Sequence, residues 1–237
     1  MHVCHIARNP VEPVAPFRDD RQKEDLVWEP SEAKRFLDVA RTHRLFAAFY
    51  LAMATGMRHG EILGLRWQDV ETDAINICQS LVDLRGRFIL SAPKTRKGIR
   101  RVAIDPETKA VLDAHKRLHE VERHEAGEAW QPQAPEFADL VFTTRTGGAL
   151  HPRNFDRVWY ELMRRAEVRK IRFHDLRHLH VSMLVRAGLD LRAIADRIGH
   201  TDGSFTMRRY AKVLESQRRA SAIPLLQLLE PRPPEPN

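Results

Sequence analysis

Cysteine is scarce in this chain: Cys4 and Cys78 are the only two in 237 residues, and no CxxC pair occurs. Neither a disulfide framework nor a zinc ribbon is supported by that set, and such usage fits a reducing cytoplasm. No apolar run approaches the roughly 18 residues that a membrane-spanning helix needs, so no membrane partner is expected. The opening MHVCHIARNP lacks the long apolar stretch of a secretion signal. No internal repeat is visible, and the zinc-hydrolase pattern HExxH is missing. Strand–helix–strand alternation is also absent, which argues against a parallel α/β sheet.

What is present reads as folded. Hydrophobic residues make up 43% and charged residues 30% of the chain, a balance typical of globular rather than disordered proteins. The length allows one large domain with a real core, or a domain plus a small appendage. Lys and Arg exceed Asp and Glu, for a formal net charge of +7. That excess suits a polyanionic partner such as nucleic acid, although a solvated basic face has the same signature.

Residues 1–27 contain Pro10, Pro13 and Pro16, which forbid a continuous helix, and read as a linker. EPSEAKRFLDVAR starts a helix, with Pro30 at its first position, Glu32 near its positive end and Phe36, Leu37 and Ala40 on its apolar face. RLFAAFYLAMATG is apolar nearly all round and predicts a buried central helix stopped at Gly56. HGEILGLRWQDV predicts a short helix with Ile62, Leu63 and Leu65 inward. AINICQSL, RFILS and RRVAID are short, alternating segments that predict a small antiparallel sheet. Helical spacing returns in PETKAVLDAHKRLHEVERH, with Val111, Leu112, Leu118 and Val121 on one side. LVFTT is a brief extended piece, and HPRNFDRVWYELMRRAEV an amphipathic helix. From His174 the chain is mostly helical, punctuated by Gly188 and Gly199, with Asp190 as a helix cap. The expected class is therefore mainly α with a small antiparallel β-sheet (α+β).

Four stretches carry chemistry. In ATGMRHGEILGLRW, Arg58 follows the Gly56 break between two apolar helices, so its guanidinium is held near the core and needs an anionic partner. Glu61 is a partner within the chain; an outside anion is the other, and the segment leaves both open. In APKTRKGIRRVAI, Lys94, Arg96, Lys97, Arg100 and Arg101 crowd an expected hairpin turn. Most such cations are simply solvated, but a hairpin can also thrust one lysine toward DNA with its neighbours on phosphates. HDLRHLH places His174, Arg177, His178 and His180 within seven positions. A metal would suit the i, i+4 histidines, but Arg177 among them repels a divalent ion and further ligands are lacking. A phosphate accommodates both His174 and Arg177, with His178 and His180 structural. In RIGHTDGSFTMRRYAKV, His200 follows a glycine stop and Tyr210 lies ten residues on; alone, Tyr210 reads as packing.

Taken in order, Arg58, Lys94, His174, Arg177, His200 and Tyr210, with ATGMRHGEILGLRW, PKTRKGIRRVAI, HDLRH, IGH and RRYAKV around them, resemble the catalytic domain of the tyrosine recombinase (phage-type integrase) family. The resemblance covers roughly residues 26–215. It implies a DNA breaking-rejoining fold and a metal- and ATP-independent enzyme acting on double-stranded DNA through a 3′-phosphotyrosyl intermediate. It implies Tyr210 as nucleophile, His174 as its base, Lys94 as acid to the leaving 5′-oxygen, and Arg58, Arg177 and His200 as donors to the phosphate oxygens. Glu61 supports the site, and Arg96, Lys97 and Arg100 bind DNA. Lys97 shares the loop with Lys94; PKT matches the family form better and favours Lys94. No cofactor and no metal are expected.

The departure lies before the domain. Family members usually carry a helical DNA-binding domain there, and residues 1–27 look like a linker or remnant of it. The resemblance thus suggests a truncated integrase that binds DNA weakly, with residues 28–215 as catalytic domain. Residues 216–237 form a C-terminal helical segment and Pro-rich tail, expected to dock on a neighbouring copy in a tetramer. A catalytically weak DNA-binding or assembly remnant is the alternative function; a type IB topoisomerase and a zinc hydrolase rank below it.

Overall fold

The computed structural model describes residues 27–93 and 98–199. Its elements run α1 (Pro30–Ala40), α2 (Phe46–Thr55), α3 (His59–Leu63), a 3-10 turn at Trp67–Asp69, β1 (Ala74–Ile77), β2 (Ser80–Leu84), β3 (Arg87–Ser91), β4 (Arg100–Ala103), α4 (Pro106–Ala126), 3-10 turns at Gly127–Ala129 and Pro135–Phe137, α5 (Pro152–Arg165), α6 (Asp175–Arg186) and α7 (Leu191–Ile198). The described residues are thus mainly helical with small antiparallel strand pairs, as the sequence pattern indicates. No helix among them is long and apolar enough to cross a membrane.

Local signals set the helix ends. Pro30 opens α1, and Glu32 reaches back to the Glu29 amide at 2.9 Å. Asp190 accepts from the Arg192 and Ala193 amides and so caps α7. Gly56 ends α2 at φ +65°, a conformation L side chains rarely adopt. A Cβ there would also stand 2.8 Å from His180 Cδ2 on α6, so both backbone and packing require glycine.

The apolar α2 is buried along nearly its whole length, because helices lie on several sides of it. Phe36, Phe49, Phe155, Trp159 and Phe173 form an aromatic core with Trp28. Phe36 and Trp159 centroids are 4.6 Å apart, and Phe155 and Phe173 meet edge-to-face at 4.9 Å. Trp159 Nε1 donates to Ile171 O at 3.1 Å and Trp28 Nε1 to Arg169 O at 2.7 Å. The core therefore fixes the segment that feeds His174 and α6.

The strand region differs from the sequence pattern. AINICQSL breaks at Cys78–Gln79 into β1 and β2, which pair with different partners: β1 with β4 and β2 with β3. The basic loop after β3 therefore links two separate ribbons instead of closing one hairpin. On α4 the buried face is Thr108, Leu112, His115, His119 and Glu122, whereas Leu118 and Val121 are 40% and 53% exposed. Polar residues face inward because each finds a partner: His115 Nε2 lies 2.9 Å from Val141 O, and Glu122 accepts two bonds from Arg44.

Candidate active site

The site is built around the C-terminal end of α7. The last carbonyls of a helix lack intrahelical partners and carry the negative end of its dipole. Three arginines from three other parts of the fold satisfy them in succession. Arg100 Nε donates to Arg197 O at 2.9 Å, Arg177 Nη2 donates to Ile198 O, and Arg58 Nη2 donates to Gly199 O at 3.3 Å. Arg177 also donates to Gly56 O at 2.8 Å, which ties α6 to the α2–α3 corner where Arg58 sits. Arg58 and Arg177, far apart in sequence, are thereby gathered at one helix end.

Arg58 is the N-cap of α3. Its amide and its guanidinium both donate to Glu61, each at 2.8 Å, and its side chain remains 40% exposed. Both readings that the sequence leaves open thus meet in one residue: Glu61 neutralises Arg58 from beneath while the upper side stays accessible. Glu61 itself is buried. Burial alone would raise its pKa, but Arg100, then the Arg58 backbone and side chain, outweigh it and hold the carboxyl at about 2.

Arg100 departs from the expectation of a DNA contact. Its guanidinium is turned inward, only 6% exposed, and grips both Glu61 oxygens at 3.0 and 2.9 Å. Its place at the start of β4, where the side chain meets α3, decides this.

His174 is the residue immediately before α6 and is exposed. Desolvation by the surrounding protein, then the positive charges of Arg177, Arg172 and Arg58, push its pKa below the ordinary 6.5, against a smaller opposing pull from Asp175. The imidazole is therefore neutral at pH 7 and able to accept a proton. Asp175 is engaged by Arg172, whose amide and guanidinium donate to it at 2.8 Å. His178 stacks edge-on against His174 at 5.6 Å. His180 points into the core, with Nδ1 2.9 Å from Met53 O and Nε2 accepting from Arg197. The HDLRHLH histidines thus split between surface and core, and no group of three or more metal-ligating side chains is found among the described residues.

Arg197 is a site residue the sequence reading overlooked. It donates to His180 Nε2, Ala103 O and Ala54 O, and burial lowers its pKa. Its position in the last turn of a helix ending in glycine was the available signal. Three guanidiniums, of Arg58, Arg100 and Arg177, therefore gather around Glu61 and the α7 terminus, with Arg197 close enough to Arg100 to feel its charge, a positive field suited to a polyanion. Lys94, Arg96, Lys97, His200 and Tyr210 lie outside the described residues; Lys94 and His200 directly adjoin them in sequence.

Comparison with known proteins identifies the family and the fold. The family model described as Phage integrase family matches residues 27–217. The tyrosine recombinase XerC-like protein of Caldanaerobacter subterraneus subsp. tengcongensis is 28% identical over 231 residues, covering 90% of this chain and 58% of that protein. The ICEBs1 integrase of Bacillus subtilis is 30% identical over 233 residues, covering 97% of this chain and 61% of that protein. The chain thus spans about three-fifths of the length of these curated relatives. Among solved structures, the Tn1549 transposon integrase in complex with transposon right end DNA superposes with a TM-score of 0.73 at 18% identity, over 86% of this chain and 69% of that one. XerA recombinase gives 0.64 at 21% identity, over 92% and 70%. With its fold, its ordered motifs and this match over most of its length, the chain belongs to the phage integrase family of tyrosine recombinases.

Proposed function

We propose that this chain performs the strand cleavage and rejoining of a site-specific DNA recombinase, with double-stranded DNA as substrate. The observation that carries this reading is the docking of Arg58 and Arg177 on the adjacent Gly199 and Ile198 carbonyls, with His174 in the field of both.

The chemistry follows from the residue types. Tyr210 attacks the phosphorus through its hydroxyl oxygen, and the bond to the 5′-oxygen breaks. The tyrosine proton passes to His174, and Lys94 gives a proton to the departing 5′-oxygen. The product is a 3′-phosphotyrosyl link and a free 5′-hydroxyl. The 5′-hydroxyl of a second strand then attacks that link and releases Tyr210, so one phosphodiester replaces another and no ATP is consumed. Charge builds on the non-bridging oxygens during both steps. Arg58, Arg177 and His200 are the donors to it, and the contacts of Arg58 with Glu61 and of Arg177 with Gly56 O hold those two arginines in place at no reorganisation cost. Glu61 orients Arg58, while Arg96 and Lys97 contact flanking phosphates.

Residues 28–215 form the catalytic domain in this reading, and 216–237 serve docking between copies in a tetramer on DNA. Action on chromosomal DNA would place the protein in the cytoplasm. The test is covalent trapping on nicked duplexes, where loss of the short strand past the nick prevents religation. A denaturation-resistant adduct is expected, abolished by Tyr210→Phe and reduced about 100-fold or more by Arg58→Ala. An adduct that survives Tyr210→Phe would refute the assignment.

A further inference from the structure

Arg100 lies outside the set of residues assigned to the phosphate, yet it touches Glu61, which holds Arg58, and the α7 terminus, which Arg58 and Arg177 also meet. Its side chain is nearly fully buried and each of its three guanidinium nitrogens bonds within the protein. Nη1 and Nη2 clamp the two Glu61 oxygens, Nε holds Arg197 O, and Nη1 also reaches Gly98 O at 3.2 Å.

Each contact fixes something different. Glu61 accepts from Arg58 through the same carboxylate, so Arg100 sets the charge and orientation of the group that aims Arg58. Arg197 O is the first of the three successive carbonyls, and its neighbours hold Arg177 and Arg58. Gly98 closes the base of the loop that carries Lys94. A Cβ at Gly98 would stand 2.3 Å from Pro93 Cβ, so the two ends of that loop meet beside Arg100. A planar fork with a separate Nε donor can serve a carboxylate and a carbonyl together; a lysine ammonium cannot reproduce that geometry.

We propose that Arg100 is a positioning residue that couples Gly98 to the Glu61–Arg58 pair and to the α7 terminus. This rests on the reading of the site as a phosphoryl-transfer centre. Without Arg100, Glu61 engages Arg58 alone and draws it from the phosphate, while Gly98 and the α7 terminus lose their common anchor.

Four proteins test this: the unaltered chain, Arg100→Gln, Arg100→Lys, and Arg101→Gln as a charge control. Arg101 is half-exposed and pairs with Glu71 and Asp73. Three quantities are read: single-turnover cleavage of a nicked duplex, duplex affinity, and amide hydrogen exchange at residues 58–64 and 197–199. The expected result for Arg100→Gln is a cleavage rate lower by about tenfold to a hundredfold with affinity within about threefold, and faster exchange in both segments. Arg100→Lys falls between, and Arg101→Gln cleaves within about twofold of the unaltered chain. Cleavage by Arg100→Gln within about twofold, or a rate loss that only mirrors lost affinity, overturns the proposal. If the unaltered chain forms no adduct, the proposed function fails. The exchange measurement then still decides whether Arg100 couples the segments, and unchanged exchange refutes it.

Discussion

Glu61→Gln keeps the shape of the side chain and removes its charge, so it isolates the ion pair at the centre of the site. Glu61 is only 4% exposed and Arg100 6%. Removing one partner of a buried pair leaves the other charge uncompensated, at a cost of about 3–5 kcal/mol. A second route gives a similar figure. The carboxyl is held at about 2 instead of the ordinary 4.5. A difference of that size corresponds to about 3 kcal/mol of folding free energy. The unfolded chain takes up this proton near pH 4.5 and the folded chain only near pH 2. The contribution is therefore complete above 4.5 and disappears as the pH falls toward 2. Urea unfolding of both proteins at pH 7, 5 and 3 measures it. The unaltered chain should exceed Glu61→Gln by about 3 kcal/mol at pH 7 and 5, and by clearly less at pH 3. A gap below about 1 kcal/mol, the scale of an exposed pair, would refute the reasoning, as would a gap independent of pH.

Gly56→Ala must adopt a positive φ and push a methyl against His180, and should lose about 2–4 kcal/mol in urea unfolding; a loss under about 1 kcal/mol would show that the α2–α6 contact relaxes freely. His115 and His180 are pushed down to about 4 by burial, so the unfolded chain binds their protons near 6.5 and the folded chain does not. Their stabilisation is present above pH 6.5 and fades as the pH falls to 4. His115→Phe should flatten that slope, and an unchanged slope would place the titration elsewhere. For cleavage, the kcat/KM profile should rise on its acid side with a midpoint below 6.5, since His174 must be neutral to accept the proton; a midpoint above 7 would contradict its role as base.

How far the sequence could be read depends on where each signal resides. The run FAAFYLAMAT, the proline and acidic residues opening α1, and Gly56 after α2 each act locally, and each element formed as its pattern indicates. The inward face of α4 was not legible. His115, His119 and Glu122 are polar, and only their partners Val141, Thr143 and Arg44, distant in sequence, make burial affordable. Arg100 shows the same limit from the other side. Beside Lys97 and Arg101 it reads as one more loop cation, and only the approach of α3 to β4 turns it inward. The docking of three arginines on the α7 carbonyls leaves no trace in the sequence, because the acceptors are backbone atoms that every residue carries. The order of motifs nominates side chains for the site, and the fold shows what holds Arg58, Arg177 and Glu61.

The central claim is that Tyr210 forms the covalent bond to DNA, and one measurement addresses it directly. The trapped adduct, digested with protease and nuclease, is sequenced by mass spectrometry to locate the nucleotide. The account predicts a nucleotide joined through its 3′-phosphate to Tyr210. A 5′-linkage, or attachment at any other side chain, would contradict it.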